Sequence, residues 1–281
     1  MFFPQKKKIE SELPKLFNER YSKIVHLISS EKPDLLAIQE FWASKNGTEE
    51  LLRKSLGDYE FFVLQRTSNR FASLLSKRFI LYQPLIFAFK RPDGLAILLR
   101  KERFQMVAQD YVRFNDVGDR VSINLLLKDR KYADKYLCVS NVHLTFPHNN
   151  FDEFTLRLHQ TKITLNSVKQ FQQKHGIQCP IILCGDLNCN NIEDDVVLRE
   201  LGENGFKNVY FEMNPEKKTF CSHKSHTQVD VPADHMLFLD PLDSIQPFFS
   251  KFFPYDVDDK AWPSNFKMSD HRPLVSKFNW K

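Results

Sequence analysis

Short apolar runs that begin or end in an acid, an amide or a histidine recur five times along this chain, and they constrain its fold more than any other feature. The most abrupt is IILCGDLN, where Ile181 to Cys184 and Gly185 lead directly into Asp186, with Asn188 two residues further on. Four apolar residues closed by glycine predict a buried strand reaching the edge of its sheet. Asp186 then stands at a C-terminal strand end, where layered α/β proteins gather ligand sites on loops held by a rigid scaffold. Taken singly, an Asp-x-Asn at such a place is more often a plain turn, because both side chains hydrogen-bond their own backbone.

The other four runs repeat the pattern. LLAIQE ends in Glu40, CVSNVHL holds Asn141 and His143, ADHMLFL starts at Asp234, and MSDHRPLVSKF begins with Asp270 and His271. Each has a local explanation as a cap or a turn. Five together are harder to dismiss. If these ends converge, the carboxylates of Glu40 and Asp270 make an oxygen-rich site suited to hard Mg²⁺ or Mn²⁺, able to activate water or steady a leaving oxygen at phosphorus.

Between these runs the spacing changes to that of helices. Apolar positions from about Leu13 to Ser30 (Leu16, Tyr21, Ile24, Val25, Ile28) predict a helix feeding the strand DLLAIQEF, and a second helix is expected over Glu49 to Leu56. Strands follow near Tyr59 to Leu64, Leu95 to Leu99, Val121 to Lys128 and YLCVSNVHL. A long helix from about Glu153 to Lys174 presents Leu158, Thr161, Leu165, Val168 and Gln172 on one face. After the Ile181 to Cys184 strand come a helix near Val196 to Asn204, a strand ending at Asp240, and a last strand RPLVSKF. Alternating strands and helices, with some strand pairs lacking a helix between them, predict mixed sheets in a layered α/β domain. With no repeat and no Gly/Ser-rich or Pro-rich linker, residues 1–281 read as one domain.

Composition narrows the class. A chain of 281 residues with 42% hydrophobic residues builds a substantial core. No apolar run reaches the ~20 residues of a membrane span. The start MFFPQKKKIE places its charge after its apolar residues, the reverse of a signal peptide, so a cytoplasmic or nuclear location is expected. The five cysteines form no CxxC pair and read as buried reduced thiols. A net charge of +5 suits a polyanionic substrate without implying a nucleic-acid-coating protein.

The ordered set QE, N-x-H-L, G-D-x-N and S-D-H resembles the endonuclease/exonuclease/phosphatase superfamily, the metal-dependent phosphodiesterases related to pancreatic deoxyribonuclease, from about residue 20 to the C-terminus. RPDGLAILLRKERF, RFNDVGDRV and NVHLTFPHNNFDEFTLRLHQ are similar to the branch of carbon-catabolite-repressor-type deadenylases and nocturnin, and more so to plant and protist relatives, to which CSHKSHTQVDVPADHMLF also conforms. Some of those relatives carry EF-hands, whereas no acidic loop of that form occurs here.

The resemblance implies a four-layer α/β sandwich, two packed mixed β-sheets flanked by helices. It implies Glu40 and Asp270 at the metal, Asp186 and Asn188 orienting water and phosphate, and His143 and His271 on the scissile phosphate, with Asp234 supporting His271. Asn141, Arg120 and Arg157 are candidate substrate contacts, and Lys224 a further phosphate-side cation.

Two departures from the family pattern are visible. The opening strand with a metal-proximal Asn has no counterpart before the first helix, since Asn18 lies within the helical pattern; its absence is expected to uncover backbone groups and apolar surface in neighbouring strands. FASLLSKRFILYQPLIFAF, residues 71–89, is expected to be an apolar surface insertion.

The implied activity is Mg²⁺-dependent hydrolysis of nucleic-acid phosphodiesters, favouring 3′-exonucleolytic action on single-stranded RNA such as poly(A), with cations on its backbone and aromatics on its bases; Trp42 and Phe146 adjoin the site motifs. The alternatives are a small phosphorylated molecule or lipid head group as substrate, or a catalytically impaired RNA-binding homologue.

Overall fold

The computed structural model of the chain describes residues 14–43, 48–66, 93–116, 118–146, 153–193, 195–224, 229–257 and 268–281. In chain order its elements are helix α1 (Pro14–Glu31), strand β1 (Leu35–Trp42), helix α2 (Thr48–Ser55), and strands β2 (Tyr59–Gln65), β3 (Asp93–Arg100), β4 (Phe104–Arg113), β5 (Val121–Asp129) and β6 (Tyr136–His143). Helix α3 (Glu153–His175), strand β7 (Ile181–Asp186), helix α4 (Val196–Glu203), the short strand β8 (Lys207–Asn208) and helix α5 (Val209–Met213) follow. The last part holds β9 (His223–Lys224), β10 (Asp230–Val231), β11 (Asp234–Leu239), β12 (Ile245–Phe252) and β13 (Leu274–Trp280).

Strands with apolar residues on both faces must lie in the middle of a layered structure. β5, β6 and β7 are of this kind and sit centrally in a six-stranded sheet ordered β4-β5-β6-β7-β11-β8. β3, equally buried, is the middle strand of a second sheet, β1-β3-β2. The two-residue side-chain period of β3 then builds two layers at once. Leu95, Ile97 and Leu99 meet Ile123, Leu125, Leu127, Val139 and Ile182 between the sheets, while Ala96 and Leu98 face Ile28 of α1 and Leu52 of α2. On the far side of the large sheet, Leu165, Val168 and Phe171 of α3 and Val197 and Leu201 of α4 close the core over Cys138, Val142 and Leu183. Helix, sheet, sheet, helix gives the four-layer α/β sandwich.

Among the described strands the parallel pairing is β6–β7, which makes the larger sheet mixed, while β1, β3 and β2 pair antiparallel. β4 and β12 were not anticipated. β4 lies at a sheet edge and carries a bulge between Met106 and Ala108 that breaks its alternation, and β12 contains Pro247 beside a second bulge. β1 has a hydrogen-bonded neighbour on one side only among the described residues, and Leu35, Leu36 and Ile38 are half-buried. Residues 71–89 lie outside the described residues. No described helix is long and apolar enough to cross a membrane.

One buried polar side chain makes the fold acid-sensitive. His235 of β11 accepts at Nδ1 from the Asn208 amide at 3.0 Å, donates from Nε2 to the Pro232 carbonyl at 2.8 Å, and packs edge-on to Phe220. Burial lowers its pKa from 6.5 to about 4, so the folded state holds it neutral while the unfolded chain takes up a proton at higher pH. The stability that depends on neutral His235 is complete above pH 6.5 and is lost as pH falls from there towards 4, reaching roughly 3 kcal/mol at the low end. Urea unfolding at pH 7 and at about pH 5 is expected to show a loss that His235→Gln, isosteric but untitratable, reduces by about 2 kcal/mol. An identical pH dependence in both proteins would refute this.

Candidate active site

Strand register assembles the site. His143 closes β6 and stands opposite Asp186 in the parallel β6–β7 pair; Asp186 closes β7 and stands opposite Asp234, the first residue of β11, in the antiparallel pair. Three adjacent strand ends therefore carry His143, Asp186 and Asp234 in one row. His143 Nε2 lies 3.3 Å from Asp186 Oδ2. His271 joins the row from another part of the chain, with Nδ1 2.7 Å from Asp234 Oδ2.

The turn chemistry read from Asp-x-Asn is also present and serves the same end. The Asn188 N–H donates to Asp186 Oδ1 at 2.8 Å, and the Asn188 side-chain amide donates to the Leu144 carbonyl at 2.8 Å, tying the segment after β7 to the one after β6. Asn188 takes φ of 51°, a left-handed conformation that asparagine tolerates best among residues with a Cβ. Glu40 has φ of 52° at a bulge in β1 between Gln39 and Phe41, and its carboxylate is exposed.

The electrostatics separate the protonation states. Burial works against the Asp186 charge, yet His143 and His271 hold its carboxyl down to about 2. Burial and the adjacent Arg120 guanidinium lower His143, so that ring is neutral at pH 7. Arg120 Nη1, an obligate donor, lies 2.9 Å from the ring nitrogens and further disfavours a second proton there. Burial also disfavours charge on His271, but Asp234, with Asp186 and Asp270 behind it, raises it to about 10. Burial raises Asp234 as well; the proton shared by the pair resides on the imidazole, which faces three carboxylates at once. The row thus offers an ionised acid that can accept a proton, a neutral histidine and a cationic histidine side by side.

Of the residues expected at the site, His143, Asp186, Asn188, Asp234, His271 and Arg120 come together. Glu40 and Asp270 are exposed, and neither makes a salt bridge among the described residues. Glu40 bears on the row through its charge, which raises both His143 and Arg120. Metal-competent ligand atoms lie within 4.8 Å of one another in two described groups, Asp186 with Asp234 and His271, and His223 with Asp270 and His271; Glu40 belongs to neither.

Two expected substrate contacts are placed elsewhere. Arg157 is 0% exposed and pairs with Asp195 at 2.9 Å, so it is a buried strut rather than a phosphate ligand. Asp195 is also the N-cap of α4, accepting from Val197 and Leu198 N–H. Asn141, fully buried, donates to the Ile38 and Ala96 carbonyls and accepts from Gln39, stitching the two sheets beneath Glu40. Lys224 lies 3.7 Å from Asp230, in the β9–β10 hairpin. Sequence reasoning missed His223, whose ring stacks on His271; its only signal was its place in CSHK ahead of the ADHMLF run.

A family model described as Endonuclease/Exonuclease/phosphatase family matches residues 12–271. An uncharacterised calcium-binding protein of Arabidopsis thaliana is 26% identical over 256 residues, 85% of this chain and 47% of its own length, so the chain spans about half of that relative. Among solved structures, the human nocturnin catalytic domain with bound sulfate superposes with a TM-score of 0.68 at 19% identity, covering 94% of this chain and 87% of that one. ANGEL2, a 2′,3′-cyclic phosphatase in complex with adenosine-2′,3′-vanadate, gives 0.67 at 20% identity over 93% of this chain and 86% of its own. At these identities the structural likeness speaks to the fold.

Proposed function

Because the chain belongs to the endonuclease/exonuclease/phosphatase family, we infer that it hydrolyses phosphodiester bonds in nucleic acid, removing nucleotides from the 3′ end of single-stranded RNA. The observation that carries this reading is ionised Asp186 and neutral His143 on adjoining strand ends, with cationic His271 joined to them through Asp234. A water hydrogen-bonded to Asp186 meets a carboxylate able to take its proton, while His271 and Arg120 face the oxygens on which charge develops as the P–O bond breaks. Asp234 keeps His271 oriented and charged, and Asn188 fixes one Asp186 oxygen so that the other faces His143.

The donor chemistry of Glu40 and Asp270, exposed carboxylates without salt-bridge partners among the described residues, fits a hard divalent cation, Mg²⁺ or Mn²⁺. Bound there, such an ion supplies neutralisation of the phosphate charge and polarises a phosphoryl oxygen. Single-stranded RNA as substrate is favoured by the deadenylase-like connecting motifs, by the net charge of +5, and by the aromatic Phe146, which follows the His143 segment and is 49% exposed. A second reading, removal of a terminal 2′,3′-cyclic phosphate, is favoured by the ligand held in the ANGEL2 structure.

The test is incubation of a 5′-labelled RNA ending in oligo(A), with a 3′-hydroxyl or a 2′,3′-cyclic phosphate, in Mg²⁺ and in chelator. A metal-dependent ladder shortening from the 3′ end is the expected result. Opening of the cyclic phosphate alone transfers the assignment to the second reading, and binding without turnover of either RNA identifies an impaired homologue.

A further inference from the structure

The three-residue segment Cys221–Ser222–His223 runs between the two members of the Asp234–His271 pair and touches both. Ser222 Oγ accepts from the Asp234 backbone N–H at 2.9 Å and the Ala233 N–H at 3.0 Å. On its other side the segment forms a β-bridge between His223 and His271, and Arg272 N–H donates to the Ser222 carbonyl at 2.8 Å. The His223 side chain adds two contacts that backbone pairing does not require. Its Nδ1 lies 2.9 Å from the Asp270 carbonyl, an acceptor, so this nitrogen carries the proton. Its ring stacks on His271 with centroids 4.3 Å apart and planes 21° apart.

We propose that His223 is a positioning residue for His271, its ring face fixing the plane in which His271 shares its proton with Asp234. Asp234 constrains His271 at one nitrogen only, which leaves the imidazole free to pivot about that hydrogen bond. A flat ring stacked on it removes the pivot, in the way a second partner orients a histidine that one hydrogen bond leaves underdetermined. The same His223, through Nδ1–H and the Asp270 carbonyl, holds the backbone from which both Asp270 and His271 project. The near-parallel planes argue against a shared metal at this pair. A metal ion lies in the plane of each imidazole that binds it, and two stacked rings direct their nitrogen lone pairs along separate, parallel planes. The ring face, rather than a nitrogen ligand, is the working part.

The inference rests on the hydrolytic reading for its kinetic consequence but not for its structural one, and two measurements separate them. In ring ¹H–¹⁵N NMR spectra of the full chain, the hydrogen-bonded Nδ1–H of His271 is expected in the wild type and in His223→Phe, which keeps the stacked face, and is expected to be lost to exchange in His223→Ala. In hydrolysis of bis(4-nitrophenyl) phosphate with Mn²⁺, His223→Ala is expected to lower kcat about 10- to 100-fold with KM within about threefold of wild type, and His223→Phe to recover most of the loss. A His271 signal equal in all three proteins overturns the proposal, as does its loss in Phe and Ala alike. A shift in the Mn²⁺ activation constant in both variants also overturns it, by making His223 a ligand. If the wild type hydrolyses no diester, the functional reading fails and the spectra alone decide the role of His223.

Discussion

Asp186→Asn is expected to lower kcat for phosphodiester hydrolysis by about 10³-fold or more while leaving the protein folded and KM within about threefold. The substitution preserves size, and the retained side-chain carbonyl can still accept from the Asn188 N–H that now bonds Oδ1. What it removes is a charge held fully ionised, with a pKa near 2, at a place surrounded by His143, His271 and Arg120. Two functions disappear together: the acceptor for a proton from water, and one of the carboxylates that keep His271 cationic. Their loss compounds because the proton acceptor and the charged ring act in the same step. Steady-state kinetics on the RNA or on a simple diester, with circular dichroism to verify folding, decides the matter. A folded variant with more than a tenth of wild-type kcat would remove Asp186 from the chemistry.

The parts of this site that were legible in the sequence are those set by local chain geometry. An acid or histidine closing an apolar run must emerge at a strand end, so Asp186, His143 and Asp234 could be placed before their register was known, and the register then aligned them. What could not be read depends on partners far along the chain. Arg157 reads as a substrate contact because Asp195, which pairs with it in the interior, comes 38 residues later. Asn141 looked available to substrate, yet its amide is consumed by carbonyls 103 and 45 residues away. β12 was hidden because Pro247 argues against a strand, and only the pairing with β13 shows that the proline lies beside a bulge. His223 carries no punctuation of its own; stacking on a residue 48 positions further on is a fact of tertiary packing.

The sequence predicts that Gly185 ends its strand, whereas in the structure it lies within β7 at a place with no room for a Cβ. β7 continues through Gly185 to Asp186, paired on both sides. Gly185 has φ of 146°, and a Cβ built on it would lie 1.8 Å from the Val142 carbonyl oxygen of the neighbouring strand. Real carbon–oxygen contacts are nearly twice that distance, and here the obstructing atom is backbone in the centre of a buried sheet, so no side-chain rotation relieves the clash. Gly185→Ala must either part β6 from β7 or twist the peptide that presents Asp186. Added volume in a core that can rearrange costs about 1–3 kcal/mol; backbone displacement in a central parallel pair adds a strained φ and broken ladder bonds, for a total of roughly 4 kcal/mol or more. Urea denaturation is expected to show that loss, or the variant to fail to accumulate in soluble form at 37 °C. Growth and assay at lower temperature then supply a second readout, because the folded fraction is expected to have lost activity out of proportion to its amount, Asp186 being displaced from His143. A variant within about 1 kcal/mol of wild type, and fully active, would mean that the β6–β7 approach is looser than the register of His143 against Asp186 requires.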